Sequence, residues 1–517
     1  YGNSSLTPQN IDIEELSRAE VSRVDYGEIF PATDLDFTQS TTLSTFDLSY
    51  FPKERGSYNY DTVNLDMNGK LSNPEDRWGG ITRALTTTDF ERANVEYIQF
   101  WMQDPYQNYS INSIEGVSGP LVKKGELFFN LGNISEDVLK DNRKVYENGL
   151  PGAGQVDNTE ETAWSKIPNN NTFLYAFTEI DEDRKLQDVG LDGVSDADEI
   201  RYPNIGSSDR STDNYRFFRS TQYDQQNASI ITRYKDYNKT EGNSPTANLS
   251  TESYPTSATT IADAEDINKD QTMNTINAYY QYKVSLNAED LVLGRNNIVD
   301  VKNSKRKTPD GTEQDVRWLQ FRIPVSGGQS INGISDFNSI RFMRMFLTKF
   351  ESPVVIRFGQ LQLVRGDWRR YDKNVHGGVQ VPDDDLDENE LNKFTTGVVN
   401  IEENAGRQPI PYVLPPGIQR EQLQGSTKLQ FQNEQSLSVK INDLPPGETR
   451  TVFKNMISDL RMYKKLKMFV HAEGIGTDLE NDKVMAVMRM GSDLNENYYQ
   501  IEVPLKATLF SQSASEE

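Results

Sequence analysis

The stretch Asn94–Pro105, NVEYIQFWMQDP, alternates with a period of two. Ile98, Phe100 and Met102 fall on one face and Val95, Tyr97 and Trp101 on the other. Alternation of this kind, built from aromatic and β-branched residues, specifies a strand with at least one buried side. The same reading applies to GELFFNLGNI (125–134), AYYQYKVSL (278–286), RWLQFRIPV (317–325), RFMRMFLTKF (341–350) and VVIRFGQLQLVRGDW (354–368). Pro324 belongs at a strand end, because proline cannot donate to a ladder. In the last third, SLSVKINDL, KKLKMFVHAEG, DKVMAVMRMG and YYQIEVPLKA are also expected as strands. Asn73–Leu85 reads as a turn leading into a short amphipathic segment. Ser135–Gly149 reads as a short helix with Ser135 as its N-cap.

Three segments align with one another: DFERANVEYIQFWM from Asp89, DFNSIRFMRMFLT from Asp336 and DLRMYKKLKMFVHA from Asp459. In each the Asp is followed by an apolar residue (Phe90, Phe337, Leu460). Apolar pairs recur nine and eleven positions later: Ile98 and Phe100, Met345 and Leu347, Met468 and Val470. The Asp can cap a helical turn, and the pair then opens the inward face of a strand. The expected fold is mainly β, made of tandem β-sandwich units of the jelly-roll kind with long acidic insertions and a few short helices. The expected divisions are a first sandwich unit with an N-terminal extension over 1–150 and an acidic insertion over 151–277. A second unit follows over 278–380, then an acidic and Pro-rich linker over 381–420 and a third unit over 421–517.

Charge and composition narrow the function. Asp and Glu number 78 against 54 Lys and Arg, a net −24 in 517 residues. A field of that sign repels phosphate backbones and excludes nucleic acid as a natural partner. There is no Cys, so disulfides, thiol catalysis and Cys-ligated zinc are excluded. The two His, His376 and His471, have no partner His at metal spacing. No apolar run reaches the ~18 residues that a membrane helix needs. The opening YGNSSLTPQNIDIEEL lacks signal-peptide regions and reads as an internal stretch of a longer protein.

DVGLDGVSDADEI (188–200) concentrates Asp188, Asp192, Asp196, Asp198 and Glu199 around Gly190 and Gly193. Glu179–Glu199 carries nine acids and two bases, and such a run must extend unless cations bind or screen it. Calcium takes six to eight oxygens from a bendable loop. The spacing resembles thrombospondin type 3 calcium repeats but places Gly190 where an acid is usual, and Asp181 and Asp183 are candidate additional ligands. A second candidate is Asp266, Asn268 and Asp270, which match the first, third and fifth positions of an EF-hand loop. Gln271 and Asn277 stand where that motif needs Gly and Glu, so a true EF-hand is excluded. The alternative for both segments is a solvated acidic loop. Asp383–Glu390 has no Gly and no ordered spacing and reads as solvated. No carboxylate pair is singled out for catalysis. Trp101 and Trp318 lie in strand patterns and are expected in a core. Trp368 adjoins Arg369 and Arg370 as a cation–π partner or a sugar platform. Asp61–Val63 resembles the short O-glycosylation sequon of Bacteroidota, with Thr62 as acceptor.

Taken together, NPEDRWGGITRAL, DFERANVEYIQFWMQDP, GELFFNLGNISEDVLKDNRKVYENGLP, DVGLDGVSD, PYVLPPGIQRE and YKKLKMFVHAEG resemble the SprA (Sov) family of Bacteroidota, in order along most of the chain. That family forms very large outer-membrane barrels, the translocon of the type IX secretion system that also serves gliding motility. The resemblance implies a non-enzymatic insertion from such a barrel, built from jelly-roll units resembling carbohydrate-binding modules. It would cap or gate the barrel mouth at the extracellular face, with a periplasmic position as the alternative. The implied partners are the remainder of the barrel, a PorV-like shuttle protein, other type IX components and secreted cargo. The competing reading is a carbohydrate-binding or calcium-dependent adhesin module.

Overall fold

Strand alternation is realised in a computed structural model as two five-stranded antiparallel sheets. The structure describes residues 11–33, 40–108, 122–161, 166–169, 177–190, 214–235, 264–375, 386, 393–421, 431–474 and 479–508, less positions 57, 60, 62, 139, 141, 145–149, 179, 188, 408–409 and 457–458. The strands are β1 Phe46–Tyr50, β2 Trp78–Ala84, β3 Val95–Gln103, β4 Glu126–Asn133, β5 Thr159–Glu161, β6 Lys166–Pro168 and β7 Ala278–Ser285. They continue as β8 Ile298–Lys307, β9 Glu313–Pro324, β10 Gln329–Ile331, β11 Phe342–Thr348 and β12 Val354–Arg365. One sheet has the order β1-β12-β3-β9-β8 and the other β10-β7-β4-β11-β2. The chain is mainly β, as its alternation predicts. It divides into two units: Tyr1–Val24, Leu43–Ala93 and Tyr97–Leu363 form the first, and Asp25–Thr42, Asn94–Glu96 and Val364–Glu517 the second.

The first unit is closed by aromatic packing between the two sheets. Phe100 on β3 stacks on Phe321 at 4.8 Å, meets Phe358 edge-on at 5.4 Å and reaches Phe129 of the other sheet at 5.5 Å. Ile98, Met102, Leu127 and Leu131, on the same inward rows, are fully buried. A buried Phe or Leu contributes about 1.5–3 kcal/mol each, so these rows dominate the fold. Pro324 is the last residue of β9, where a missing donor costs nothing.

The other face of the first sheet is covered as well. Trp101 and Trp318, which lie on it, are 1% and 0% exposed, as the strand patterns predicted. The cover includes the segment around Ala19–Ser22, held by two buried guanidinium groups. Arg357 Nη1 donates to the carbonyls of Ala19 at 3.0 Å and Ser22 at 2.7 Å, while its Nε donates to Asp47 at 3.1 Å. Arg306 donates to Ser22 Oγ at 3.0 Å and to Gln103 Oε1 at 2.9 Å. Beside it, Val21 and Val355 pack with Ile230 and Ile231 of the helix Ile230–Lys235, which belongs to the acidic insertion.

Two expectations are corrected. The segments 1–150 and 278–380 are not separate sandwiches: β1 pairs with β12, β3 with β9 and β4 with both β7 and β11. Alternation reveals that a strand has a buried face but not which distant strand completes its ladder. The expected helix over 135–149 is also absent from its described positions. Ser135 Oγ instead accepts the Asp137 amide at 3.2 Å, and Glu136 turns inward and is 1% exposed. An N-cap residue equally serves a local turn, and the buried acid decides between them.

Among its described residues, the second unit carries two-stranded ladders: β13 Arg369–Arg370 with β16 Val452–Phe453, β14 Phe394–Asn400 with β15 Gln435–Ile441, β17 Ala472–Glu473 with β20 Ala507–Thr508, and β18 Met485–Gly491 with β19 Tyr498–Pro504. Phe394 and Ile410 are buried there. From 431 to 508, no described apolar residue is buried. The expected strand KKLKMFVHAEG forms a ladder only at Ala472–Glu473.

Candidate functional site

The acidic loop over 264–277 is built on two carboxylates that the sequence reading passed over. Glu136, which follows β4, accepts the amides of Ile267 at 2.6 Å and Asn274 at 2.9 Å. Its own amide donates to the Asn274 carbonyl at 2.7 Å. Glu265, 5% exposed, accepts the Val138 amide at 2.7 Å. No sequence signal marked Glu136 as inward, because Ser135 before it reads as a helix N-cap.

On this base Asp266, Asn268 and Asp270 do come together, and they bind each other. Asp266 accepts the amides of Asp270 at 3.0 Å and Gln271 at 2.9 Å, one on each oxygen. Asn268 Nδ2 donates to Asp270 Oδ2 at 2.8 Å. Asp270 Oδ1 accepts the hydroxyl of Thr272 at 2.6 Å and its amide at 2.8 Å, and these bonds hold the carboxyl below its ordinary range. Lys269 and Gln271 take positive φ values of 58° and 66° to close the turn. Gln271 therefore adopts the conformation for which an EF-hand loop uses Gly. Lone pairs of Asp266 and Asp270 are directed at the loop's own donors, and these bonds order the turn.

The other acidic candidates are distributed differently. Asp181 and Asp183 lie on the helix Asp181–Gln187, and Asp183 Oδ1 accepts the Ala153 amide at 2.7 Å. Asp188, Asp192, Asp196, Asp198 and Glu199 lie outside the described residues, as do His376, Thr62 and nearly all of Asp383–Glu390. Among the described residues, no three His, Asp or Glu side chains gather in a metal-binding group.

Aromatic side chains cluster on the face of the second sheet away from Phe129. Tyr58 stacks on Trp78 at 4.2 Å, Trp78 meets Phe346 edge-on at 5.3 Å, and Phe346 stacks on Phe128 at 4.8 Å. Arg344 lies 5.5 Å from the Trp78 ring and 5.4 Å from Tyr279. The rings cover one another's faces, so they stiffen the sheet more readily than they offer a flat sugar platform. At Trp368, Arg370 is directed elsewhere and donates to the Phe394 carbonyl at 3.0 Å.

These features describe a packed scaffold with ordered polar loops. The family described as motility related/secretion protein, SprA_N, matches residues 196–517, more than half of the chain. The chain belongs to this family. Within the SprA_N match lie β7 to β20, while β1 to β6 precede it. The sandwich of this SprA_N chain therefore straddles the start of the match. SprA_N is a family of motility and secretion, not a family of enzymes. No curated protein matches the chain. Among the described residues no helix of this SprA_N member is long and apolar enough to cross a membrane, which says nothing of strands that cross as a barrel.

Proposed function

We propose that the chain is a non-enzymatic structural domain of the type IX outer-membrane translocon. It acts as a cap, a gate or a docking element at the barrel mouth. Family membership supports a place in secretion. The single observation that carries the steric role is the doubly covered first sheet. Phe100 and Phe321 fill one face, and Arg306 and Arg357 fasten a covering segment to the other. A body packed on both sides of a sheet resists deformation, as a part that limits passage must.

In this reading the strand order supports a jelly roll, because β1, β3, β9 and β12 share one sheet while β2, β4, β7 and β11 share the other. Calcium at Asp188, Asp192, Asp196, Asp198 and Glu199 stiffens the insertion and offsets its repulsion. The partners are the rest of the barrel, a PorV-like shuttle and cargo in transit, at the extracellular face.

In-frame deletion of residues 43–363 from the full-length protein tests the reading. Loss of cargo secretion, with the barrel still assembled in the outer membrane, is the expected result. Intact secretion with loss of surface attachment would replace it with the adhesin reading.

A further inference from the structure

One end of the first unit holds a cleft of about 340 Å³. Separate stretches of chain build it. Asp104, Tyr106 and Gln107 follow β3, Lys123 precedes β4, Ala288 follows β7 and Arg317 lies in β9. The volume falls at the lower end of the ~300–1,000 Å³ typical of small-molecule sites.

The lining is held by bonds of its own. Asp104 Oδ2 accepts Arg317 Nε at 3.0 Å and Nη2 at 2.5 Å, and Oδ1 accepts the Tyr106 amide at 2.9 Å. The Asp104 amide donates to the Arg317 carbonyl at 2.8 Å, and the Ala288 amide to the Lys123 carbonyl at 3.1 Å. Tyr106 is buried and donates its hydroxyl to the Leu286 carbonyl at 2.7 Å. Supports committed in this way hold the lining in place before a ligand arrives, which lowers the cost of binding.

Two lining groups have nothing to bind. Lys123 is exposed, and its ammonium forms no ion pair among the described residues. Gln107 Oε1 is shielded from solvent and accepts no hydrogen bond among the described residues. Asp104 is the only acid among the described lining residues, and Arg317 already neutralises it, so Lys123 leaves one positive charge in excess. Arg317 Nη1 also remains once Nε and Nη2 are committed to Asp104. In a chain of net charge −24 this cleft is a local exception that favours an anion. A bare anion answers Lys123 but leaves Gln107 Oε1 buried without a donor, which is costly. A ligand with a donor beside its anionic group answers both.

We infer that this cleft binds a small organic acid whose carboxylate stands beside an N–H or O–H donor. The carboxylate meets Lys123 and Arg317 Nη1 in charge-assisted bonds, and the donor meets Gln107 Oε1. The inference is independent of the secretion reading.

Ligand-detected NMR titration of the whole chain tests it with four probes. N-acetylglycine offers a carboxylate and an amide donor, glucuronate a carboxylate and hydroxyls, acetate a carboxylate alone, and N-acetylglycinamide amide donors without charge. Saturable binding of N-acetylglycine or glucuronate is expected at low salt, with Kd on the order of a millimolar, and the tighter of the two identifies the donor. Acetate should bind about tenfold more weakly, and N-acetylglycinamide should not saturate. Lys123→Ala should weaken binding about tenfold, and its side chain supports no other described residue. Gln107→Ala should erase the preference over acetate, which a merely structural role would not do. Near-ultraviolet circular dichroism, dominated by the buried Trp101 and Trp318, checks that both variants stay folded. Absence of saturable binding by both donor-bearing acids overturns the inference. So does binding of N-acetylglycinamide as tight as that of N-acetylglycine, or a titration unmoved by Lys123→Ala.

Discussion

Arg357 Nη1 sits 3.0 Å from the carbonyl oxygen of Ala19, at the far end of the chain from its own strand, and it is 3% exposed. The same side chain forms an ion pair with Asp47. Removing one partner of such a buried pair leaves the other uncompensated. Arg357→Ala should therefore destabilise the first unit by about 3–5 kcal/mol. Urea unfolding followed by tryptophan fluorescence measures it. Proteolysis near residues 11–24 should increase in parallel, and an unchanged midpoint would mean that the segment is held by its apolar contacts alone.

Glu136 anchors the loop over 264–277 through the amides of Ile267 and Asn274. Glu136→Ala strands those donors, at about 1–3 kcal/mol each. Hydrogen exchange should show both amides losing protection while those of β3 keep theirs. Glu136→Gln retains an acceptor and should recover part of the protection.

Calcium and chelator discriminate the readings of the acidic insertion. If Asp188–Glu199 takes up calcium, the ion should raise Tm and EDTA reverse it, by about 2.7 kcal/mol of stability at a hundred times Kd. Asp192→Asn should abolish the effect. Asp266→Asn should lower stability equally with and without calcium, because Asp266 serves the amides of Asp270 and Gln271. A Tm indifferent to both additions assigns the insertion to solvated carboxylates.

Acid sensitivity should trace in part to Glu54. Burial pushes its carboxyl upward, but Lys235 and Lys70 together outweigh that and hold it below its ordinary value. A depressed acid contributes stability that is fully present above its unfolded pKa, about 4.3, and is lost as pH falls through the folded value. The urea midpoint should fall below about pH 4, and Glu54→Gln should flatten that part of the profile while lowering the midpoint at neutral pH. An unaltered slope in the variant would transfer the acid sensitivity to other carboxylates.

Legibility differed by element. Strands β3, β4, β7 and β12 were readable because each carries a period-two pattern long enough to leave no helical alternative. The burial of Trp101 and Trp318 followed from the same patterns. At the candidate site, the grouping of Asp266, Asn268 and Asp270 was readable from spacing. Its self-satisfaction was not, because amide directions depend on the turn conformations at Lys269 and Gln271. Glu136 was hidden for a related reason: an acid after a Ser reads as the first turn of a helix unless its tertiary surroundings are known.

The amino-acid order alone determined that this is a β protein with capped, repeated turns, acidic loops and no thiol chemistry, because periodicity, capping and composition are local properties. Its resemblance to a secretion family was equally a property of the linear text. Tertiary structure decided that two repeats share one sandwich while the third joins a ladder only at its last residue, Ala472. It also decided that Arg306 and Arg357 bind a segment almost three hundred residues or more away in the chain. Partner choice between strands is settled by which distant faces exclude water together, and no local pattern encodes that choice.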